Sequence, residues 1–181
     1  MAPAALFSCA HEALRKLARD RRFIGSTRIG YLSVLHTWGN MLQYHPHLHL
    51  VIPGGALSEK NDQWLSSRQD LFVHTKPLAH IFKAKFRNAM KKAQLFDKIH
   101  PSVWKQQWVV DSQAVGKGQN CLRYLSRYVF RVAISNHRIK SIENSLIKFQ
   151  YKDRQKKTWK TTALDTMEFM RRFLQHPEPV T

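Results

Sequence analysis

Apolar residues return at helical spacing over residues 4–19: Leu6, Cys9, Ala10, Leu14 and Leu17 share a stripe, and Arg15, Lys16 and Arg19 make its end basic, as a helix dipole favours. Gly25 and Ser26 break that pattern. Residues 28–37 are rich in strand formers, Gly39-Asn40 opens a loop, and His47–Ile52 reads as a second strand, so an antiparallel pair is expected. Asn61-Asp62 marks a turn. Thr75-Lys76-Pro77 opens a helix over about 78–95, with proline in its first turn and Leu78, Ile81, Phe82, Phe86, Ala89, Met90 and Ala93 on its apolar side. Trp104 to Val110 reads as a strand, 116–120 as a loop with Asn120 as N-cap, and 121–131 as a helix. After Val132-Ala133-Ile134 and a turn at Ser135-Asn136, residues 145–152 alternate as a strand, 153–157 turn, 158–164 return, and 165–175 close as an amphipathic helix.

With no repeat, low-complexity tract or linker, 181 residues at 43% apolar composition make one folded domain spanning 1–181. The charge changes the picture. Thirty Lys and Arg face twelve Asp and Glu, a net charge of +18 that repels itself in a compact chain and points to a polyanionic partner. From Cys121 to Lys160 eleven basic residues face only Glu143 and Asp153. Two cysteines without a Cys-x-x-Cys pair exclude a disulfide framework and a zinc module of that kind. The apolar runs fall short of the roughly 20 residues of a membrane span, and the N-terminus lacks the basic lead of a secretory signal, so a cytoplasmic protein is expected.

Two stretches carry chemistry. In Tyr44-His45-Pro46-His47-Leu48-His49-Leu50, side chains alternate across a strand, so His47 and His49 share one face and form half of a metal site. Pro53-Gly54-Gly55 ends the strand with turn residues. Downstream, Tyr124 and Tyr128 stand at i and i+4 on a helix, flanked by Arg123, Arg127 and Arg131. A tyrosine hydroxyl can attack a phosphodiester to form a phosphotyrosine, guanidiniums can hold the phosphates, and a metal ion can polarise the scissile group. Taken alone, each has a plainer reading: hydrogen-bonded strand histidines, packing tyrosines, a solvated basic face. Of the tryptophans 38, 64, 104, 108 and 159, any could stack on unpaired bases, with core burial favoured for Trp104 and Trp108.

The ordered set Leu35-His36-Thr37-Trp38-Gly39, His45-Pro46-His47-Leu48-His49, Pro53-Gly54-Gly55 and Tyr124 through Asn136 resembles the two-tyrosine rolling-circle transposases of bacterial insertion sequences, within the HUH endonuclease superfamily. The resemblance implies an α+β fold with a central antiparallel β-sheet and packed helices, ferredoxin- or palm-like. It implies Mg2+ or Mn2+ at His47 and His49, Tyr124 and Tyr128 as nucleophiles, and single-stranded DNA, at transposon ends and target, as substrate, in a bacterial, nucleoid-associated setting. A third ligand is expected from a neighbouring element. His36 on the preceding strand is the candidate, with Gln43 and His45 as competitors and a buried, hydrogen-bonded His36 as the alternative. His45, before Pro46, reads as a loop residue that touches DNA. The family usually carries a cysteine-rich zinc-binding segment before the catalytic domain and continues beyond it, so this sequence reads as a core or fragment. A replication initiator or relaxase with the same chemistry, and a non-catalytic basic DNA-binding remnant, are the rival readings. A binuclear His-x-His-x-Asp-His site is disfavoured, because Val51 stands where its Asp belongs.

Overall fold

The computed structural model describes residues 2–68, 72–116, 119–129, 132–153 and 156–175, with side chains described throughout these except at 2, 3, 122, 125 and 127–129. In chain order the elements are α1 (Ala2–Ala18), β1 (Leu32–Trp38), β2 (Tyr44–Val51), β3 (Gly55–Leu57), β4 (Trp64–Ser66), α2 (Thr75–Lys92), α3 (Ser102–Lys105), α4 (Gln119–Val129), β5 (Ile139–Glu143), β6 (Leu146–Lys152), β7 (Trp159–Asp165) and α5 (Thr166–Leu174). This is the antiparallel α+β class expected, with the strands arranged in sheets β1-β2, β3-β4 and β5-β6-β7. Among the described residues no helix is long and apolar enough to cross a membrane. The chain forms two compact units, Met1–Ser33 with Leu50–Cys121, and Val34–His49 with Leu122–Thr181.

In the first unit the stripe of α1 buries Leu14 and Leu17 against Val73, Leu78 and Ile81. Each such leucine removed from water contributes roughly 1.5–3 kcal/mol. Strands β3 and β4 pair from Gly55↔Ser66 to Leu57↔Trp64. Gly55 opens β3 rather than serving as a turn glycine: a Cβ there would stand 2.3 Å from the Leu65 carbonyl and 2.7 Å from the Trp64 ring.

The strand expected over Trp104–Val110 does not form. Ser102–Lys105 makes one helical turn, and 106–116 have no regular structure. Its β-branched and aromatic residues suit a strand, yet the two indoles find ring partners instead. Trp104 stacks on Phe96 at 5.4 Å and on Trp108 at 5.9 Å, while Trp108 meets Phe82 and Phe86 of α2 at 5.5 and 5.4 Å. Both tryptophans are half-buried, Trp108 against α2 and Trp104 between Trp108 and Phe96.

The second unit is built on β5-β6-β7. Ile147 and Phe149 point to one face and bury with Leu42, Ile134 and Phe169. Phe169 of α5 meets Phe149 edge-on at 5.7 Å, and Asp165 caps that helix by accepting from Met167 N at 2.9 Å. Strands β1 and β2 are joined by residues 39–43, too short for anything but an antiparallel hairpin. Gly39 N donates to Gln43 O and Leu42 N to Gly39 O, closing the turn. Leu42 is fully buried there at φ 60°, a left-handed conformation held by its place in the core.

Boundaries differ from expectation at several points. Strand β2 begins at Tyr44, so His45 lies in the strand and not in a loop. Helix α4 begins at Gln119, placing Asn120 inside its first turn rather than at the cap. Strands β3, β4 and β5 carry too few alternating positions to show in the sequence. Arg131 lies outside the described residues, as do the side chains of Arg127 and Tyr128.

Candidate metal centre

Strand alternation sets His36 and Trp38 on one face of β1, and His45, His47 and His49 on one face of β2. The hairpin brings His36, His47 and His49 together, each offering a ring nitrogen within 4.8 Å of the others. His36 is only 2% exposed, and the other two are half-buried. The His36 ring meets His49 at 4.6 Å and His47 at 5.5 Å, and lies stacked on Trp38 at 4.7 Å with 20° between planes. That indole covers one face of the deepest imidazole, a relationship the i, i+2 spacing permits and the sequence reading missed.

His36, rather than Gln43 or His45, stands with the pair. Gln43 sits in the turn, where its Oε1 accepts from Met41 N at 3.0 Å. The His45 side chain is exposed, and the residue contributes through its backbone: its carbonyl is 2.7 Å from His47 Nδ1. A carbonyl only accepts, so Nδ1 carries the proton and Nε2 keeps its lone pair. Orientation of a ligand imidazole through its other nitrogen is the usual arrangement in metal sites.

Three imidazoles without a carboxylate fit a divalent transition ion. Of the two ions expected, this all-nitrogen set suits Mn2+ better than Mg2+, which keeps oxygen ligands and waters.

The hairpin turn is tied down from the same unit. Arg138, just before β5, donates from Nη2 to Asn40 O and from Nε to Gln150 O, both at 2.7 Å. Asn40 Nδ2 donates to Lys152 O at 2.9 Å, and Arg172 of α5 donates to Met41 O at 3.3 Å. The three bonds that reach the turn itself have no sequence signature, because each joins it through a backbone carbonyl to a residue about 100 or more positions away.

Residues Leu122–Val129 of α4 belong to the same unit as the histidines. Tyr124 and Tyr128 stand one turn apart on that helix, with Tyr124 half-buried and Arg123 exposed.

Comparison with known proteins agrees with this picture. Residues 30–180 match the family described as "Putative transposase". The chain is 36% identical over 194 residues to the putative transposase y4qJ of Sinorhizobium fredii, covering 96% of this chain and 48% of that protein. It is 26% identical over 188 residues to the transposase for insertion sequence element IS801 of Pseudomonas savastanoi pv. phaseolicola, covering 91% and 45%. The chain thus spans about half the length of these curated relatives. No solved structure matches. The histidine and tyrosine stretches both fall inside residues 30–180, and the chain belongs to the putative transposase family.

Proposed function

We propose that this chain is the catalytic core of a transposase that cuts and rejoins single-stranded DNA through a covalent phosphotyrosine, in rolling-circle fashion. The carrying observation is the convergence of His36, His47 and His49 within 4.8 Å, in the compact unit that also holds the tyrosines of α4. Residues 1–181 are read as a single HUH-type catalytic domain.

In this reading the three histidines hold Mn2+ or Mg2+, whose Lewis acidity, when bound, acts on the scissile phosphate. The phenol oxygen of Tyr124 or Tyr128 bonds to phosphorus and gives its proton to solvent. The bond from phosphorus to the leaving sugar oxygen breaks, and that oxygen takes up a proton. The phosphotyrosine conserves the bond energy, so a sugar hydroxyl attacking it releases the tyrosine and rejoins the strand. Two tyrosines allow one to cut the donor and the other the target. Arg123, Arg127, Arg131 and His45 would contact the DNA, the arginines by neutralising phosphate charge.

The test is a nicking assay on single-stranded oligonucleotides, with the protein–DNA adduct read on a denaturing gel. The parent forms the adduct with Mn2+ or Mg2+ and loses cleavage, but keeps salt-sensitive binding, on chelation. Replacing Tyr124 and Tyr128 together by Phe abolishes the adduct; an adduct that survives the double change overturns the assignment.

A further inference from the structure

The outer face of β6-β7 displays a large aromatic ring among lysines. Register pairs Lys152 with Trp159, Gln150 with Thr161 and Lys148 with Ala163. Residues directly opposite in an antiparallel ladder share a face, so these side chains stand opposite the face that buries Ile147 and Phe149. Trp159 is 56% exposed, and Lys148, Lys152, Thr161 and Ala163 are exposed around it. Asp153 pairs with Lys160 at 2.6 Å and Asp165 caps α5, while exposed Glu143, opposite Leu146, stands at the end of this face away from Trp159. Around Lys148, Lys152 and Trp159 the face is therefore positive and centred on one indole.

We infer that this sheet face is a binding platform for single-stranded DNA, with an unpaired base stacked on Trp159 and the adjoining phosphates against Lys148 and Lys152. Small neighbours leave room for a base over the indole, and a duplex, whose bases are already stacked and paired, offers it no free π-face. The inference rests on the proposed function only for the identity of the polyanion. The platform uses none of the histidines or tyrosines assigned above.

The experiment measures anisotropy of a labelled oligothymidine of about 15 nucleotides, and of a duplex of equal length, against the full chain and its variants. Trp159→Leu keeps an apolar strand residue but removes the π-surface; it is expected to weaken single-strand binding by roughly 5- to 100-fold while leaving duplex binding unchanged. Trp159→Phe restores most of the loss. The double change Lys148→Gln, Lys152→Gln lowers the salt dependence of single-strand binding. Thermal melting of each variant checks the fold. Single-strand binding by Trp159→Leu equal to the parent's, or an equal loss for single strand and duplex, overturns the platform. A parent that binds through Trp159 yet never forms a tyrosine adduct overturns the proposed function and leaves the platform standing. A parent that nicks while Trp159→Leu binds normally does the reverse.

Discussion

Arg138 donates to the carbonyl of Asn40 at 2.7 Å, fastening the turn between the two histidine strands to the start of β5. The same guanidinium holds Gln150 O, so one planar fork joins the hairpin to β6. Arg138→Met strands two part-buried carbonyls and is expected to cost about 1–3 kcal/mol in urea unfolding. Arg138→Lys recovers only part of this, because an ammonium cannot reproduce the fork. Full recovery by lysine would show that charge alone, not geometry, secures the turn.

The histidines make separate predictions. If His36 is the third ligand proposed above, His36→Ala lowers Mn2+ affinity in calorimetric titration by at least the roughly 10- to 100-fold typical of losing an outer-shell partner. His45→Ala leaves that affinity unchanged, since His45 serves the centre through its carbonyl. The opposite ranking would move the third ligand from His36 to His45.

Leu42 answers to two opposing demands. It is fully buried in the core cluster and sits at φ 60°. Leu42→Ala keeps the left-handed backbone cost and opens a cavity, for about 2–5 kcal/mol. Leu42→Gly opens a larger space but accepts the conformation, and is expected to be the milder change by roughly 0.5–1 kcal/mol. Alanine proving milder would refute the backbone argument.

Acid should loosen α5 before the rest of its unit. Hydrogen bonds from Arg171, then Arg172, hold the Glu168 carboxyl at about 2, below its ordinary 4.5. A folded value below the unfolded one adds stability above pH 4.5 that is lost as pH falls towards 2. Because Arg172 also holds Met41 O, that loss reaches the histidine turn. Glu168→Gln should lower the melting temperature at neutral pH and flatten its decline across this window. Parallel declines in parent and variant would show that Glu168 carries no linkage.

Much of this was legible in the sequence because it is local. Strand alternation alone puts His47 and His49 on one face, and i, i+4 spacing alone puts Tyr124 and Tyr128 one turn apart. His36 required one further step, an antiparallel hairpin, which the short connection imposes. The reading failed where partners distant in sequence decide. Val103, Trp104, Trp108, Val109 and Val110 have strand propensity, but the indoles pack on Phe82, Phe86 and Phe96, and Val109 is left 89% exposed. The arginine anchors were invisible for a related reason: a guanidinium donating to a carbonyl is indifferent to which residue owns the carbonyl. Arg138 and Arg172, counted in the net charge, are engaged inside the protein.

The bond from His47 Nδ1 to the carbonyl of His45 lies wholly within one strand. Its geometry is set by backbone extension across Pro46, whose ring restricts both its own φ and the residue before it. An imidazole whose proton is already parked on Nδ1 needs no tautomer exchange when an ion arrives at Nε2. The segment His45-Pro46-His47 thus holds a candidate ligand together with the backbone carbonyl that orients it, only two residues away.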